Sequence, residues 1–396
     1  MPSLSHRALQ FRPSPTLALD SRVKAMRAKG ADIVNLGVGE PDFPSPVNVK
    51  LAAIKAIEED FTRYTATEGL LELREAICRK LKVDNSLSYL PNQIVVSNGG
   101  KHALHNIFQC LFQEGDEVLI PAPYWTTYPD LISLTGAKAV IVETEEKDDY
   151  LLSPQALRKA LKKETKGLIL NSPANPTGMV YSREHLEKLA EVIIEKEDLW
   201  VVSDDIYEKL LYDKTSFSNL AMAAPKLFDR VVIAHGVSKT YSMTGWRIGF
   251  LAGPESLAKA AGKFQSQTTS SPCSVAQKAA LAALEGPQEE AELMRRTFEQ
   301  RRLLALDILN HTAGFSCLEP KGAFYLLPDV SENFGRVLEG IKIQDSEDLA
   351  QVLLNQCLVA CVPGDFFGRP GTLRFSYAAS DDDLRRGLTK IAKFLA

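Results

Sequence analysis

Gly167-Leu168-Ile169-Leu170-Asn171-Ser172-Pro173-Ala174-Asn175-Pro176-Thr177-Gly178, an amphipathic span over 182–195, and then Trp200-Val201-Val202-Ser203-Asp204-Asp205-Ile206-Tyr207 decide the fold of this 396-residue chain. Both flanking segments open on a run that is apolar throughout, which suits a strand buried on its two faces. A helix between two such strands makes a crossover unit with a parallel pair. The same texture extends from about residue 48 to 285, with apolar runs at Ile94-Val95-Val96, Val118-Leu119-Ile120, Ala139-Val140-Ile141-Val142 and Val231-Val232-Ile233-Ala234. Helical spacing shows at Val49, Ala52, Ile54 and Ile57, at Leu73, Ala76, Ile77 and Leu81, and across 153–163. An α/β architecture with a mostly parallel sheet is predicted.

After Gly286-Pro287 the texture changes. A long charged helix over 288–310 precedes Gly322-Ala323-Phe324-Tyr325-Leu326-Leu327, a helix over 346–357 and Leu373-Arg374-Phe375-Ser376-Tyr377. This reads as a smaller α+β unit, joined by the N-terminal segment. The expected division is a large domain over 45–285 and a small one made of 1–44 plus 286–396. Chains of this length exceed what one simple core supports.

With 45% hydrophobic and 24% charged residues, the composition is that of a soluble enzyme. A net charge of −4 gives no basic footprint for nucleic acid. Nor does any apolar run approach the ~18 residues a membrane helix needs. The six cysteines lack CxxC spacing, so they read as buried small hydrophobes in a reducing compartment, with neither a disulfide frame nor a metal site. Met1-Pro2-Ser3-Leu4-Ser5-His6-Arg7 has no apolar leader core, and the cytoplasm is the expected location.

Five segments carry chemistry. In Ser238-Lys239-Thr240-Tyr241-Ser242-Met243-Thr244-Gly245-Trp246-Arg247, a lysine able to hold an aldehyde covalently stands eight residues before an arginine whose planar fork suits a phosphate. Pyridoxal phosphate needs both features. Ser97-Asn98-Gly99-Gly100-Lys101-His102 follows a strand and opens a helix, a place where backbone amides approach an anion. It is not a P-loop, because Val95 stands where the first glycine would be and His102 follows the lysine. The Asn-Pro turn presents Asn175 at the carboxyl end of the sheet, where its amide can donate to a phenolate-like oxygen. Asp204 can pair with a protonated ring nitrogen, with Tyr207 near the ring oxygen. Side-chain alternation lets only one of Asp204 and Asp205 face a ligand, and Asp205 is read as a helix N-cap. Finally, Arg374 lies inside an apolar strand, where a charge needs a partner. Either a substrate carboxylate or an internal ion pair would serve.

Taken together, Gly39-Glu40-Pro41-Asp42-Phe43, Tyr64, Gly99-Gly100-Lys101, Pro123-Tyr124-Trp125, Asn171 through Gly178, Asp204 to Tyr207, Ser238-Lys239, Arg247 and Arg374 resemble the class I/II aminotransferases of fold type I over nearly the whole chain. The resemblance is strongest to the bacterial-type aspartate and prephenate aminotransferases. It implies pyridoxal phosphate as cofactor, Lys239 as covalent anchor and proton carrier, and Asp204 on the ring nitrogen. Asn175 and Tyr207 would bond the ring oxygen, and Gly99, Gly100, Lys101, Ser238 and Arg247 would hold the phosphate region. Trp125 would stack on the ring. Arg374, Gly39 and Asn175 would grip the α-carboxylate, and Tyr64 would reach across from the other subunit of a homodimer with shared active sites. One departure stands out: Gly236 occupies a position where well-known aspartate enzymes carry a phosphate-binding serine.

Lys101, and Arg12 in Phe11-Arg12-Pro13-Ser14, are cations suited to a distal carboxylate. They favour aspartate, glutamate and their 2-oxo acids. Prephenate is also a dicarboxylate, so charge alone does not separate it from oxaloacetate. An aromatic or kynurenine-type aminotransferase, or a carbon–sulfur lyase of the same fold, is the alternative reading. A cofactor-binding regulator would need a DNA-binding module, for which residues 1–40 are too short, and a nucleotide-binding Rossmann protein would need GxGxxG after the first strand.

Overall fold

The computed structural model describes residues 4, 5, 9 and 13–396, so Arg12 lies outside the described residues. Its central element is a seven-stranded sheet built from β1 (Ile94–Ser97), β2 (Glu117–Pro121), β3 (Lys138–Val142), β4 (Thr165–Asn171), β5 (Trp200–Asp204), β6 (Val231–Gly236) and β7 (Gly249–Ala252), in the order β1-β7-β6-β5-β4-β2-β3. Every neighbouring pair is parallel except those of β7, which runs antiparallel to both β6 and β1. The chain returns from β6 to β7 through the loop around Lys239 without a long crossover helix, and so enters the sheet from the opposite end. Sequence reading had no strand here, because Gly249-Phe250-Leu251-Ala252 is short and opens on glycine.

Residues of each strand alternate between two apolar clusters. Leu168, Leu170, Val201, Val231 and Ile233 face one. Ile169, Val202, Val232 and Ala234 face the other. The uninterrupted apolar runs are therefore strands covered on both faces, by helices that include Arg183–Ile194 and Gly100–Leu111. Ser182 caps the first of these by accepting from the His185 N–H at 3.1 Å, and Ser153 caps Pro154–Ala160 in the same way.

A third cluster gathers around the helix Glu289–Asn310 and the C-terminal helix Asp381–Leu395, together with the short strands β8 (Tyr325–Leu326), β9 (Val362–Pro363) and β10 (Leu373–Ser376). β10 is the middle strand of this antiparallel trio. The segment read as one helix over 346–357 is α-helical only over Ser346–Val352 and continues as a π-turn through Cys357. Tyr207, Leu210 and Tyr212, from the stretch after β5, pack into this third cluster. Arg302 ties the same two regions. It is fully buried, donates to both carboxylate oxygens of Asp213 (2.6 and 2.9 Å) and lies over the Tyr212 ring.

Two expectations need correction. Cys273 is exposed and Cys78 and Cys110 are half-buried, leaving three of the six cysteines in the core; all six are free thiols. On the helix Val47–Glu58 the buried face is Val49, Ala53 and Ala56, whereas Ile54 and Ile57 point outward beside Val47 and Leu51. Among the described residues, no helix is long and apolar enough to cross a membrane.

Candidate active site

The carboxyl ends of β1, β2, β4, β5 and β6 lie along one edge of the sheet, since β1 and β6 flank an antiparallel β7 and so point the same way. Asp204 ends β5, and the segments that follow these strands carry Gly100 and Lys101, Trp125, Asn175, Tyr207, and Ser238 with Lys239. They converge on a cavity of about 370 Å³ that Gly39, Arg247 and Arg374 also line.

Strand alternation explains why Asp204 is the carboxylate that reaches it. Asp204 falls on the same face of β5 as Val202, while Ser203 and Asp205 turn to the reverse face. Asp204 is 6% exposed, and burial pushes its carboxyl up to about 6. The Tyr128 hydroxyl donates to Oδ2 at 2.7 Å and, with the charge of Lys239, favours the ionised form. Asp205 is not a helix cap. No helix follows it, and its buried carboxylate accepts from the Ser203 hydroxyl (2.6 Å) and the Asn219 amide (2.7 Å).

Lys239 points from the β6 loop into the cavity, and its Nζ donates to the Gly39 carbonyl at 2.6 Å. Burial draws the amine down to about 8, helped by the cations Arg374 and Arg247 and opposed by Glu40 and Asp204. Gly39 is held there because its loop is pinned to the segment after Lys239. Ser45 donates to the Ser242 carbonyl at 2.7 Å, Trp246 donates to Ser45 at 2.9 Å, and Ser242 bonds the Phe43 carbonyl.

The helix Gly100–Leu111 also begins at the cavity. Gly99 precedes it at φ +88, a conformation natural only to glycine. A Cβ on Gly99 would stand 2.4 Å from the Arg247 guanidinium, so the glycine is what lets that cation lie against the helix start. The first amides of the helix, the guanidinium and Ser238 thus face one region. Gly236 lies against β7, where a Cβ would meet the Ile248 carbonyl at 2.8 Å. The missing serine is therefore also a packing requirement. Lys101 Nζ sits 5.0 Å from the Trp125 ring centroid, and burial and Arg247 lower its pKa.

Arg374, buried on β10, has no carboxylate partner among the described residues. Its Nη1 donates to Asn175 Oδ1 at 3.0 Å and its Nη2 to the Gly37 carbonyl at 2.7 Å, and its Nε makes no hydrogen bond. The internal ion pair considered from sequence is absent. Tyr64 stands apart: it is 93% exposed and does not line the cavity within this chain. Lining residues to which sequence reading assigned no site role include Ser14, Thr16, Tyr128 and Tyr325. Only fold geometry shows the first two, because the start of the helix Pro15–Ala28 has to reach the cavity to bring them in.

A family model for aminotransferase class I and II matches residues 31–391. The chain belongs to that family. It is 44% identical to the aspartate/prephenate aminotransferase of Cereibacter sphaeroides over 100% of this chain and 99% of that protein. With the aspartate aminotransferase of Geobacillus stearothermophilus it shares 44% identity over 99% and 98%. The aspartate aminotransferase of Rhizobium meliloti superposes with a TM-score of 0.96 at 38% identity, covering 100% and 99% of the two chains. That of Thermus thermophilus, solved with maleate, gives 0.92 at 40% identity over both full chains.

Class I and II aminotransferases depend on pyridoxal phosphate. The cavity suits this cofactor by its chemistry: an amine lowered toward neutrality, a buried carboxylate without a cation bonded to it, and a cation against a glycine-lined helix start.

Proposed function

We propose that this aminotransferase moves the amino group between a dicarboxylic amino acid, aspartate or glutamate, and a dicarboxylic 2-oxo acid, with prephenate an acceptor of the same charge type. The single observation that carries the reading is the enclosed, carboxylate-free Arg374, facing the same cavity as Lys239 with Lys101 as a second cation. An unpaired buried guanidinium with one nitrogen free of hydrogen bonds is a fork ready for a carboxylate. Two cations in one cavity call for a substrate with two carboxylates, and maleate, bound by the Thermus thermophilus relative, is a dicarboxylate.

Arg374, with Asn175 and Gly39 beside it, would hold the α-carboxylate, and Lys101 the distal one. Asp204 would hold the cofactor's ring nitrogen and keep it protonated; Tyr207 and Asn175 would donate to its ring oxygen. Gly99, Gly100, Ser238 and Arg247 would hold the phosphate. Trp125 would cover the ring face. Pyridoxal phosphate supplies an aldehyde carbon for the amino group and a ring that takes up the electron pair left when Cα loses its proton. Lys239 is the base positioned to take that proton and return it, and an amine drawn down to about 8 carries a substantial neutral fraction near neutral pH.

That shift sets a pH dependence. The neutral amine captures the cofactor's aldehyde, so the rate at which apoprotein takes up pyridoxal phosphate covalently should rise with pH through about 8 and level above it. Stopped-flow absorbance from pH 6.5 to 9.5 checks this; a rate still rising tenfold per pH unit above 9 would mean an unperturbed lysine.

The active unit we infer is a homodimer in the cytoplasm. The outward apolar face of Val47, Leu51, Ile54 and Ile57, with the fully exposed Tyr64, needs cover. It lies near an open cleft of about 840 Å³ that shares Glu40, Thr244 and Arg247 with the site. A second copy placed there would bring its own Tyr64 toward the phosphate region. Within each protomer, a small domain of 1–44 and 286–396 would close over a large one of 45–285. The direct test is steady-state assay of holoprotein with aspartate and 2-oxoglutarate, glutamate and oxaloacetate, and glutamate and prephenate. Turnover of phenylalanine or kynurenine alone would point to the aromatic alternative, and pyruvate from cystathionine to the lyase.

A further inference from the structure

We propose that Tyr325 is a positioning residue that sets the hydrogen bond Tyr207 gives to the cofactor's ring oxygen. This rests on the cofactor placement proposed above. The two hydroxyls are 2.8 Å apart, and both side chains are buried with their rings edge to face at 5.8 Å. Among the described residues, Tyr325 is the hydrogen-bond partner of the Tyr207 hydroxyl. A phenol has a single proton to give. If Tyr207 spends it on the ring oxygen, the contact survives only with Tyr325 as donor. The result is a two-link chain running from Tyr325 through Tyr207 to the cofactor.

The fold holds Tyr325 in place for that chain; burial raises its phenol pKa, and the Arg374 charge works against that rise. Its backbone on β8 pairs with Ser376 of β10, which shares a strand face with Arg374 two residues earlier. Arg374 lies over the Tyr325 ring, its Cζ 4.5 Å from the centroid, and the same Cζ is 4.8 Å from the Phe367 ring centroid. A cation over the ring stabilises negative charge on the phenol oxygen and strengthens its O–H as a donor. A Cβ at Gly39 would come within 2.6 Å of the Tyr325 oxygen, so the glycine is what lets that hydroxyl lie against the Gly39 backbone. Tyr325 thus sits between the proposed carboxylate clamp and the proposed ring-oxygen donor.

The test reads the cofactor rather than turnover. In holoprotein, the pH at which the bound cofactor's visible absorbance titrates depends on donation to the ring oxygen, which favours the deprotonated form and lowers the midpoint. Tyr207→Phe should raise the midpoint by about one pH unit or more. Tyr325→Phe, which keeps the ring and its packing, should raise it by about 0.3 to 0.5 of a pH unit, the share a second link contributes by cooperative strengthening. The double variant should titrate no higher than Tyr207→Phe alone, because Tyr325 acts only through Tyr207. A Tyr325→Phe midpoint equal to the parent's, or a rise that adds in full on top of Tyr207→Phe, would overturn the inference while leaving the cofactor placement standing. A parent protein with no titrating visible band would remove the placement and the inference together.

Discussion

Replacing Lys239 with alanine should lower kcat by about 10⁴-fold or more while leaving a folded protein, because the variant would lose both the proposed nucleophile and the proposed proton carrier. Among the described residues, Lys101 is the other amine lining the cavity. Lys101 lies over Trp125, and Arg247 and Arg374 carry guanidiniums rather than amines. Folding should be spared, since the amine projects into the cavity and its one hydrogen bond goes to the Gly39 carbonyl. The cofactor should still bind, held by the groups around its phosphate and nitrogen, with weaker affinity and without the visible band of the covalent form. A coupled assay for oxaloacetate together with a thermal melt checks the prediction. Turnover within tenfold of the parent would remove Lys239 from the mechanism.

Arg374→Ala and Lys101→Ala should separate the two ends of the substrate. Removing one partner of a buried charge contact costs about 2–5 kcal/mol, or roughly 30-fold to several thousandfold in kcat/KM. Arg374→Ala should impose that loss on every amino acid, because all of them carry an α-carboxylate. It should also cost stability, as Arg374 bridges Asn175 and Gly37 across the cavity floor. Lys101→Ala should lower kcat/KM for aspartate and glutamate by about tenfold to a hundredfold and change alanine by less than about threefold. Steady-state kinetics with the three amino acids measures both. Equal losses for alanine and aspartate in the Lys101 variant would place the distal carboxylate elsewhere.

The main features of the site were legible because the chemistry sits in loops that immediately follow apolar runs. Asn175, Asp204 and Lys239 each come within a few residues of a strand that the sequence marks plainly, so a parallel sheet aligns them along one edge. Alternation along β5 then separates Asp204 from Asp205, although the helix-cap reading of Asp205 failed because the chain turns instead of starting a helix. What escaped was set by distant packing. Tyr128 reaches Asp204 across 76 positions of sequence, and Tyr325 reaches Tyr207 across 118. Tyr128 stands in no segment that the sequence singles out, and Tyr325 stands in one that reads only as part of the smaller α+β unit. β7 was missed for a similar reason: four residues opening on glycine acquire strand character only between β1 and β6. On Val47–Glu58, helical spacing identified the helix but not which side of it faces the core, since both sides carry apolar residues.

The most direct test of the account is a single half-reaction: holoprotein mixed with aspartate, glutamate, phenylalanine or alanine in separate runs, with the bound cofactor's visible band followed in time. The account predicts rapid loss of the band with aspartate and glutamate, its return on adding oxaloacetate or prephenate, and slow change with alanine. Loss of the band with phenylalanine only would contradict the pairing of Arg374 with Lys101 as a dicarboxylate clamp.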